Sequence, residues 1–485
     1  MNYTETEMKK TYFLSRHGCA KNQVDAELIV GALSDKGWQL VDDAADAAVI
    51  VINSCGFIES AKKESLDAVF QARNENPAAK IILAGCLAER YAEVFANELP
   101  EVDAFFGNGD ISKITEVFAS LFSSSDSKPK QQNEQTKVWR YPQSGVSCGG
   151  RPTRFNYKNS VYIKITEGCS NHCSFCAIPL IRGNVRSRSI ADIVSEIESL
   201  VREGVFEFNL IGQDLAAFSA DGKALAFNRA DEKNSEPSGL SKLLKAISLI
   251  SGNFTIRLLY IHPDHFPLDI LPVMISDSRF LPYFDLPFQS GDEAILKAMN
   301  RCGNANVYSQ LIASIQNAFV QTAYKRACIR TTFLTGFPGE TDAAFQTTVA
   351  FLKTIRPLWS GAFDFSPEEN TKAVLLSDEV PNEIAVLRKK ILQNAQVLIT
   401  GELLKNFVGE KLDMLVEEII ENPNDENFFV LGRAWFQAPE VDGCIVVPIY
   451  DKQLVQTISE GSLISVKIKI VRNLDLEAEF ISKIR

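Results

Sequence analysis

Three times in its first 90 residues the chain follows one local plan: an apolar run of strand length, a cysteine at its end, then a helical pattern. KTYFLSRHGC ends at Cys19, DAAVIVINSC at Cys55 and AKIILAGC at Cys86. The middle run is almost wholly apolar, as a strand buried on both faces should be. VDAELIVGALSDKGW sets Val24, Leu28 and Ala32 at helical spacing with Leu33 beside them, and Gly37 suits a C-cap. SAKKESLDAVFQARNENP reads as a polar-faced helix stopped before Pro77. Such alternation predicts an α/β fold, with a doubly wound parallel sheet over residues 9–122. Ligands of such sheets bind at the carboxyl ends of the strands. Cysteines at three such ends can therefore meet, although more than 30 residues separate them in sequence. Any one alone would favour a buried structural thiol. Three at equivalent positions favour a site, and Gly18, Gly56 and Gly85 beside them allow close backbone approach.

The polar stretch SSSDSKPKQQNEQTK opens a linker over residues 123–150. A second alternating region, residues 151–386, carries the strand candidates VYIKIT, VFEFNLIG, FTIRLLYI, YFDLPF, CIRTTFLT and GAFDFS. Six such units predict a partial (β/α)6 parallel barrel, interrupted by a surface insertion at 219–239. In SIADIVSEIESLVREG, Ser189 and Asp192 approximate a capping box, and Ile193, Ile197, Leu200 and Val201 form one face. A connecting helix is expected at 387–405, followed by a small all-β barrel at 406–485.

No run of about 18 uncharged apolar residues appears, so no membrane span is expected. The N-terminus MNYTETEMKKTYFL lacks the features of a secretory signal, which points to a reducing, cytoplasmic setting. There, grouped cysteines read as metal ligands or redox groups rather than disulfides. The net charge of −11 argues against a chain held mainly by phosphate contacts and for basic partners. The second cysteine set is tight: EGCSNHCSFC spaces Cys169, Cys173 and Cys176 as C-x3-C-x2-C just after a strand. Three soft thiolates with no fourth cysteine nearby fit an iron–sulfur cluster better than structural zinc. His172 is the one nearby group that zinc could add, but it sits strained between two ligands; zinc or inert thiols remain the competing readings.

The same spacing after the first strand of a partial barrel resembles the radical S-adenosylmethionine (SAM) superfamily. That resemblance implies a [4Fe-4S] cluster on Cys169, Cys173 and Cys176, whose fourth iron chelates SAM and whose electron cleaves it to a 5′-deoxyadenosyl radical. Gln213 and Asp214 in LIGQD, and Gly336 and Phe337 in TGFPGE, stand at barrel strand ends and would line the SAM pocket. Arg182, Gly183 and Arg188 either contact an anionic group or are turn and surface residues. HGCAKNQVDAE, INSCGFIESAKKESL and AGCLAERY resemble the N-terminal domain of the methylthiotransferases, and the C-terminal module resembles a TRAM domain. This likeness spans nearly the whole chain. It implies a second [4Fe-4S] cluster on Cys19, Cys55 and Cys86 that carries sulfur. SAM would then serve twice, as methyl donor and as radical source, with the cluster ligands as the only catalytic residues.

Within that family one branch modifies adenosine in tRNA, and another, the RimO type, modifies an aspartate β-carbon on small-subunit ribosomal protein twelve. The run GRAWFQAPEVDG resembles the RimO-type signature. Residues 405–485 carry 14 acidic against 9 basic residues, a net charge of −5 that repels phosphate and suits a basic ribosomal protein. Direct nucleic-acid binding is not expected, and an electron donor such as flavodoxin or ferredoxin is. The alternatives are a tRNA adenosine methylthiotransferase and a non-enzymatic iron–sulfur RNA-binding factor. Cys148, Cys302, Cys328 and Cys444 have no partner spacing, with Cys328 assigned to core and Cys148 to an exposed loop. His262 and His265 flank Pro263 at a strand end, where a turn role is preferred over lining the barrel mouth.

Overall fold

The computed structural model describes residues 10–122, 137–143, 145–219, 236–421 and 427–485. The expected linker start at 123–136 and most of the insertion, 220–235, lie outside them. Two compact units form. The first takes residues up to Phe155 plus Thr166–Ser170 and Ala177–Ser187; the second takes Asn156–Ile165, Asn171–Cys176 and Arg188–Arg485.

The first unit is built on a six-stranded parallel sheet. Its strands are β1 (Thr11–Arg16), β2 (Gln39–Leu40), β3 (Val49–Ser54), β4 (Lys80–Gly85), β5 (Ala104–Phe106) and β6 (Val138–Trp139), in the order β2-β1-β3-β4-β5-β6. Every pairing is parallel, so each connection must cross over; helices do this everywhere except between β2 and β3, which the 3-10 turn Ala44–Asp46 joins. The helices are α1 (Ala20–Ser34), α2 (Glu59–Glu75), α3 (Cys86–Glu98) and α4 (Ile114–Leu121). Val69 and Ala72 of α2 and Leu87 and Ala92 of α3 bury one face of the sheet against Ile50, Ile52, Ile81, Leu83 and Phe105. Tyr12 points to the other face, where its ring meets Phe118 of α4 edge-on. Helix α1 ends in a Schellman motif: Trp38 N–H bonds Leu33 O, Gly37 N–H bonds Ser34 O, and Gly37 takes φ +77°. Gly37 is thus the helix-ending residue its position suggested.

The second unit begins with β7 (Ser160–Lys164). The chain then makes a small antiparallel ribbon of the first unit, β8 (Thr166–Glu167) and β9 (Arg186–Ser187), with the short helix α5 (Ile178–Arg182) between them. Alternation resumes with α6 (Ile190–Arg202), β10 (Glu207–Ile211), α7 (Gly239–Ser248), β11 (Thr255–Leu258), α8 (Ile270–Ser276) and β12 (Phe280–Asp285). It continues with α9 (Glu293–Ala298), α10 (Ala305–Phe319), β13 (Cys328–Thr335), α11 (Asp342–Ile355) and β14 (Trp359–Asp364). The sheet order β14-β13-β12-β11-β10-β7 is sequential, parallel and open, which is the expected partial barrel. Ser189 caps α6 by accepting from Asp192 N–H, and Ile193, Ile197 and Leu200 are buried. The strand read at YFDLPF begins three residues earlier, at Phe280; Pro282 hid it, and the β11–β12 pairing is irregular there.

Helix α12 spans Asn382–Leu404 and so starts five residues before its expected first residue, directly after Pro381, which fixes its entry. It leads into a closed five-stranded barrel, β15 (Lys411–Glu421), β16 (Phe428–Arg433), β17 (Ile445–Ile449), β18 (Leu463–Arg472) and β19 (Asp475–Lys483), with α13 (Lys452–Val455) between β17 and β18. Among the described residues no helix is long and apolar enough to cross a membrane.

Candidate active site

Strands β1, β3 and β4 are neighbours, and each delivers one cysteine at its carboxyl end. Cys19 is the N-cap of α1, Cys55 follows Ser54 directly, and Cys86 opens α3. The turns touch. A Cβ on Gly18, which holds φ +97°, would stand 3.0 Å from Cys55 Cβ and 3.4 Å from Cys55 Sγ. One on Gly56 would stand 2.7 Å from Cys86 O. The thiols also act on one another: besides the burial that raises both, Cys19 pushes Cys55 up, and Cys55 and Cys19 push Cys86 up. Burial dominates at Cys86, whose thiol reaches about 12. Cys19 is exposed yet closely surrounded; that crowding alone would raise it, but Lys21, Arg182 and the N–H groups of Asn22 and Lys21 hold it below its ordinary value. Soft sulfurs brought together on a glycine-lined rim, with a cation alongside, fit an iron–sulfur group.

That cation is Arg182. It is 3% exposed, and its Nη2 lies 3.2 Å from Cys86 Sγ, 2.6 Å from Asn22 Oδ1 and 3.0 Å from Asp25 Oδ2. Its Nη1 donates to Glu167 Oε1 at 2.6 Å. Glu167 stands two residues before Cys169, and Cys169 N–H bonds Gly183 O. Ala177 and Ile181 pack on Cys86. Of the two readings left open for Arg182, the anionic contact holds, and its anions belong to this chain. Arg188 is also no surface residue: it is buried, bonding Lys164 O and Glu196.

In the second unit, Cys173 and Cys176 sit in a tight turn, with Cys176 N–H bonding Cys173 O. Ser174 ties the turn down by donating its N–H to Met299 O and its hydroxyl to Ala298 O. His172 is exposed at φ +51°, and its carbonyl accepts from Asn300 Nδ2. Asp214, 1% exposed, accepts from Asn171 Nδ2 at 2.9 Å and His262 N–H at 3.1 Å and lies 2.6 Å from His265 Nε2. Burial would raise its carboxyl, but His265, His262 and Asn171 hold it well below the carboxylate range. The His262 ring stacks on His265 with centroids 4.5 Å apart, and its Nε2 lies 4.0 Å from Cys173 Sγ. Burial, then Arg301, holds that imidazole well below its usual value. The turn role preferred for these histidines is therefore only half of what they do. His262 does cap the turn by accepting from Asp264 N–H, but the pair also links Asp214 to the cysteine turn.

Gln213 stands beside Asp214 after β10. Gly336 follows β13 at φ +75°, its N–H bonding Glu340 Oε2 at 2.8 Å. Phe337 is buried with Ile295, Met299, Ala344 and Ala373, and Phe175 of the cysteine turn packs on that group. Arg301, which bonds Pro287 O and Cys173, was not visible in the sequence: it lies 128 residues from its sulfur and follows no motif. Among the described residues no three His, Cys, Asp or Glu groups close on a single metal ion; the fit rests on donor chemistry and on where the strands deliver the sulfurs.

The parallel sheet with three strand-end cysteines, the open barrel with C-x3-C-x2-C and the closed β barrel together define a radical SAM protein with an added N-terminal α/β domain and a TRAM module. Residues 163–352 match the radical SAM superfamily, 11–107 the uncharacterized protein family UPF0004, and 408–481 the TRAM domain. The solved radical SAM methyltransferase TsrM from Kitasatospora setae shares the fold, with a TM-score of 0.51 over 73% of this chain and 72% of that one at 12% identity. The ribosomal protein uS12 methylthiotransferase RimO of Treponema denticola is 52% identical over 95% of this chain and 99% of its own length. Its namesake from Thermotoga maritima is 36% identical over 89% and 92%. The chain belongs to the RimO methylthiotransferase family.

Proposed function

We infer that this chain is a radical SAM methylthiotransferase that places a methylthio group on the β-carbon of an aspartate in ribosomal protein uS12. The observation that carries the reading is the pairing of two cysteine sets in one chain, one on three adjacent strand ends and one in the C-x3-C-x2-C loop. A single set would serve SAM cleavage alone. Cys169, Cys173 and Cys176 would hold one [4Fe-4S] cluster, and Cys19, Cys55 and Cys86 a second. When bound, the first supplies the electron that splits SAM, and the second supplies the sulfur.

The chain's own residues do the positioning. Asp214, kept ionised, fixes Asn171 of the cysteine loop and the His265–His262 stack. Arg182 sets a buried positive charge against Cys86. No side chain is required to accept a proton from the substrate carbon. Residues 9–122 would carry the sulfur site, 151–386 the SAM site and 406–485 the TRAM module. An electron donor such as flavodoxin or ferredoxin would reduce the protein in the cytoplasm, where it meets its basic substrate.

The test is mass spectrometry of uS12 and of tRNA after anaerobic incubation with reconstituted protein, reductant and SAM. Wild type adds one methylthio-for-hydrogen exchange to uS12. Cys55→Ala still yields 5′-deoxyadenosine but leaves uS12 unmodified, whereas changing Cys169, Cys173 and Cys176 together to Ala abolishes 5′-deoxyadenosine. Methylthiolated tRNA with unchanged uS12 would refute the substrate, and SAM cleavage by the triple variant would refute the cluster assignment.

A further inference from the structure

Ala373, in the turn Lys372–Leu375 that follows β14, is fully buried, and its N–H donates to Ser174 O at 2.8 Å, between Cys173 and Cys176. The outer side of the same turn is apolar and open. Val374 is 41%, Leu375 86% and Leu376 37% exposed, and Leu375 is the most exposed large apolar side chain among the described residues. Three consecutive exposed apolar residues are unusual on a soluble surface and mark contact with a partner. The segment continues into the start of α12, where Ile384 and Leu387 are also exposed while Ala385 and Arg388 turn inward. Two bonds hold it at the carboxyl rim: Gly339 N–H to Asp378 O, and Thr335 Oγ1 to Ala385 O.

Its fringe is acidic. Glu369, Asp378, Glu379 and Glu383 are exposed with Lys372 among them, while Glu368 is buried, Asp364 pairs with Lys389 and Arg388 is buried on Glu340. This charge selects among occupants. A second copy docked through a two-fold axis would set the same carboxylates against each other. RNA would bring phosphate to an anionic surface. A basic polypeptide with an apolar side chain satisfies both features.

We propose that this turn, with the first two turns of α12, seats the substrate protein through a basic segment that inserts an apolar side chain over Leu375. The proposal rests on the functional reading above and adds the place where uS12 is gripped. Contact at a turn bonded to the cysteine loop brings the bound segment to the rim where the Cys173–Cys176 turn stands.

The test measures fluorescence-anisotropy binding of labelled uS12 to anaerobically reconstituted full-length protein, alongside KM and kcat. Leu375→Ser weakens uS12 binding about tenfold, as loss of one buried Leu anchor does. The loss appears in KM rather than kcat. The double variant Glu379→Lys/Glu383→Lys weakens it further at low salt than at high salt, as a lost charge attraction must. Leu375 is open to solvent, so a thermal melt equal to wild type accompanies the effect. If wild type binds uS12 and both variants bind it equally well, the docking surface is refuted and the function stands. If wild type binds and modifies tRNA instead, the functional reading fails and takes this occupant with it. A wild-type dimer that Leu375→Ser dissolves would also refute the proposal.

Discussion

Replacing Arg182 by Met tests whether the sulfur site is held by charge. The guanidinium is buried against two carboxylates, Asp25 at 3.0 Å and Glu167 at 2.6 Å, each side chain no more than 6% exposed. Met fills the volume of the stem but takes the Arg182 charge away from both carboxylates. Breaking a buried pair from one side costs about 3–5 kcal/mol, because the remaining charge stays desolvated. For a unit of this size that is a fall of roughly 6–20 °C in Tm. A chain of two compact units need not melt in one step, so calorimetry on the reduced apoprotein should show one transition moving and the other staying. Asp25→Asn with Glu167→Gln in the Met background removes the stranded charges and should restore most of the loss. Arg182→Lys, which keeps the charge but cannot reach all four partners, should fall between. A drop of less than about 1 kcal/mol for Arg182→Met, the size of an exposed ion pair, would refute the reasoning. So would failure of the neutralised triple variant to recover.

Glu207 is clamped by Arg257 and Arg433, with contacts of 2.9 and 2.8 Å, and despite its burial they hold its carboxyl well below the ordinary range. Its contribution is therefore complete above the unfolded value of about 4.3 and is lost as pH falls through the depressed folded value. Glu417, the other partner of Arg433, is instead raised by burial, so Glu207 with its two cations dominates the acid limb. Glu207→Gln should cost about 3–5 kcal/mol at neutral pH, and urea melts should show the gap to wild type closing below about pH 4. Asp214→Asn loosens Asn171 and His265; in a Cys19→Ala/Cys55→Ala/Cys86→Ala background, iron affinity at the remaining loop, read by chelator challenge, should fall about 10–100-fold. Gly18→Ala forces a Cβ against Cys55 at φ +97°, costing about 1–2 kcal/mol in a thermal melt and lowering iron content in a Cys169→Ala/Cys173→Ala/Cys176→Ala background.

Periodicity made β1, β3, β4 and the six strands of the second sheet legible because each is an apolar run of a parallel sheet, whereas β2, β5 and β6, two or three residues each, are too short to show a period. The cysteine sets were legible because their sulfurs stand at strand ends or share one loop. The network around them was hidden because its members come from unlike contexts. Arg182 meets Asn22 and Asp25 across more than 150 residues, and Asp214 meets His265 across 51. Asn22 and Asp25 look like an ordinary polar face of α1, yet both are buried. The exposed strip Val374–Leu376 was equally hidden, since an apolar triplet in sequence reads as core until its accessibility is known.

The GRAWFQAPEVDG run, which marks the RimO type in sequence, has a structural job. Arg433 bonds Glu207, Trp435 O accepts from Arg257, and Phe436 O accepts from Trp359 Nε1 at 2.7 Å and Cys328 Sγ at 3.4 Å. Glu207, Cys328 and Trp359 are the first residues of β10, β13 and β14. The run therefore plugs the amino ends of the parallel strands, the end of such barrels that serves stability. The cysteine turn, Asp214 and Gly336 all stand at the carboxyl ends. Helix α12 bridges the two rims: Ala385 packs beside Gly336 at its start, and its 23 residues, about 34 Å long, end where the β module begins. On the proposed function, the acidic charge of that module would act on a basic substrate from a distance, by steering, and close contact would fall to residues at the carboxyl rim. Discrimination between a protein and an RNA substrate should accordingly respond to changes in the 364–387 segment more sharply than to changes in the signature itself, whose loss should register first as unfolding.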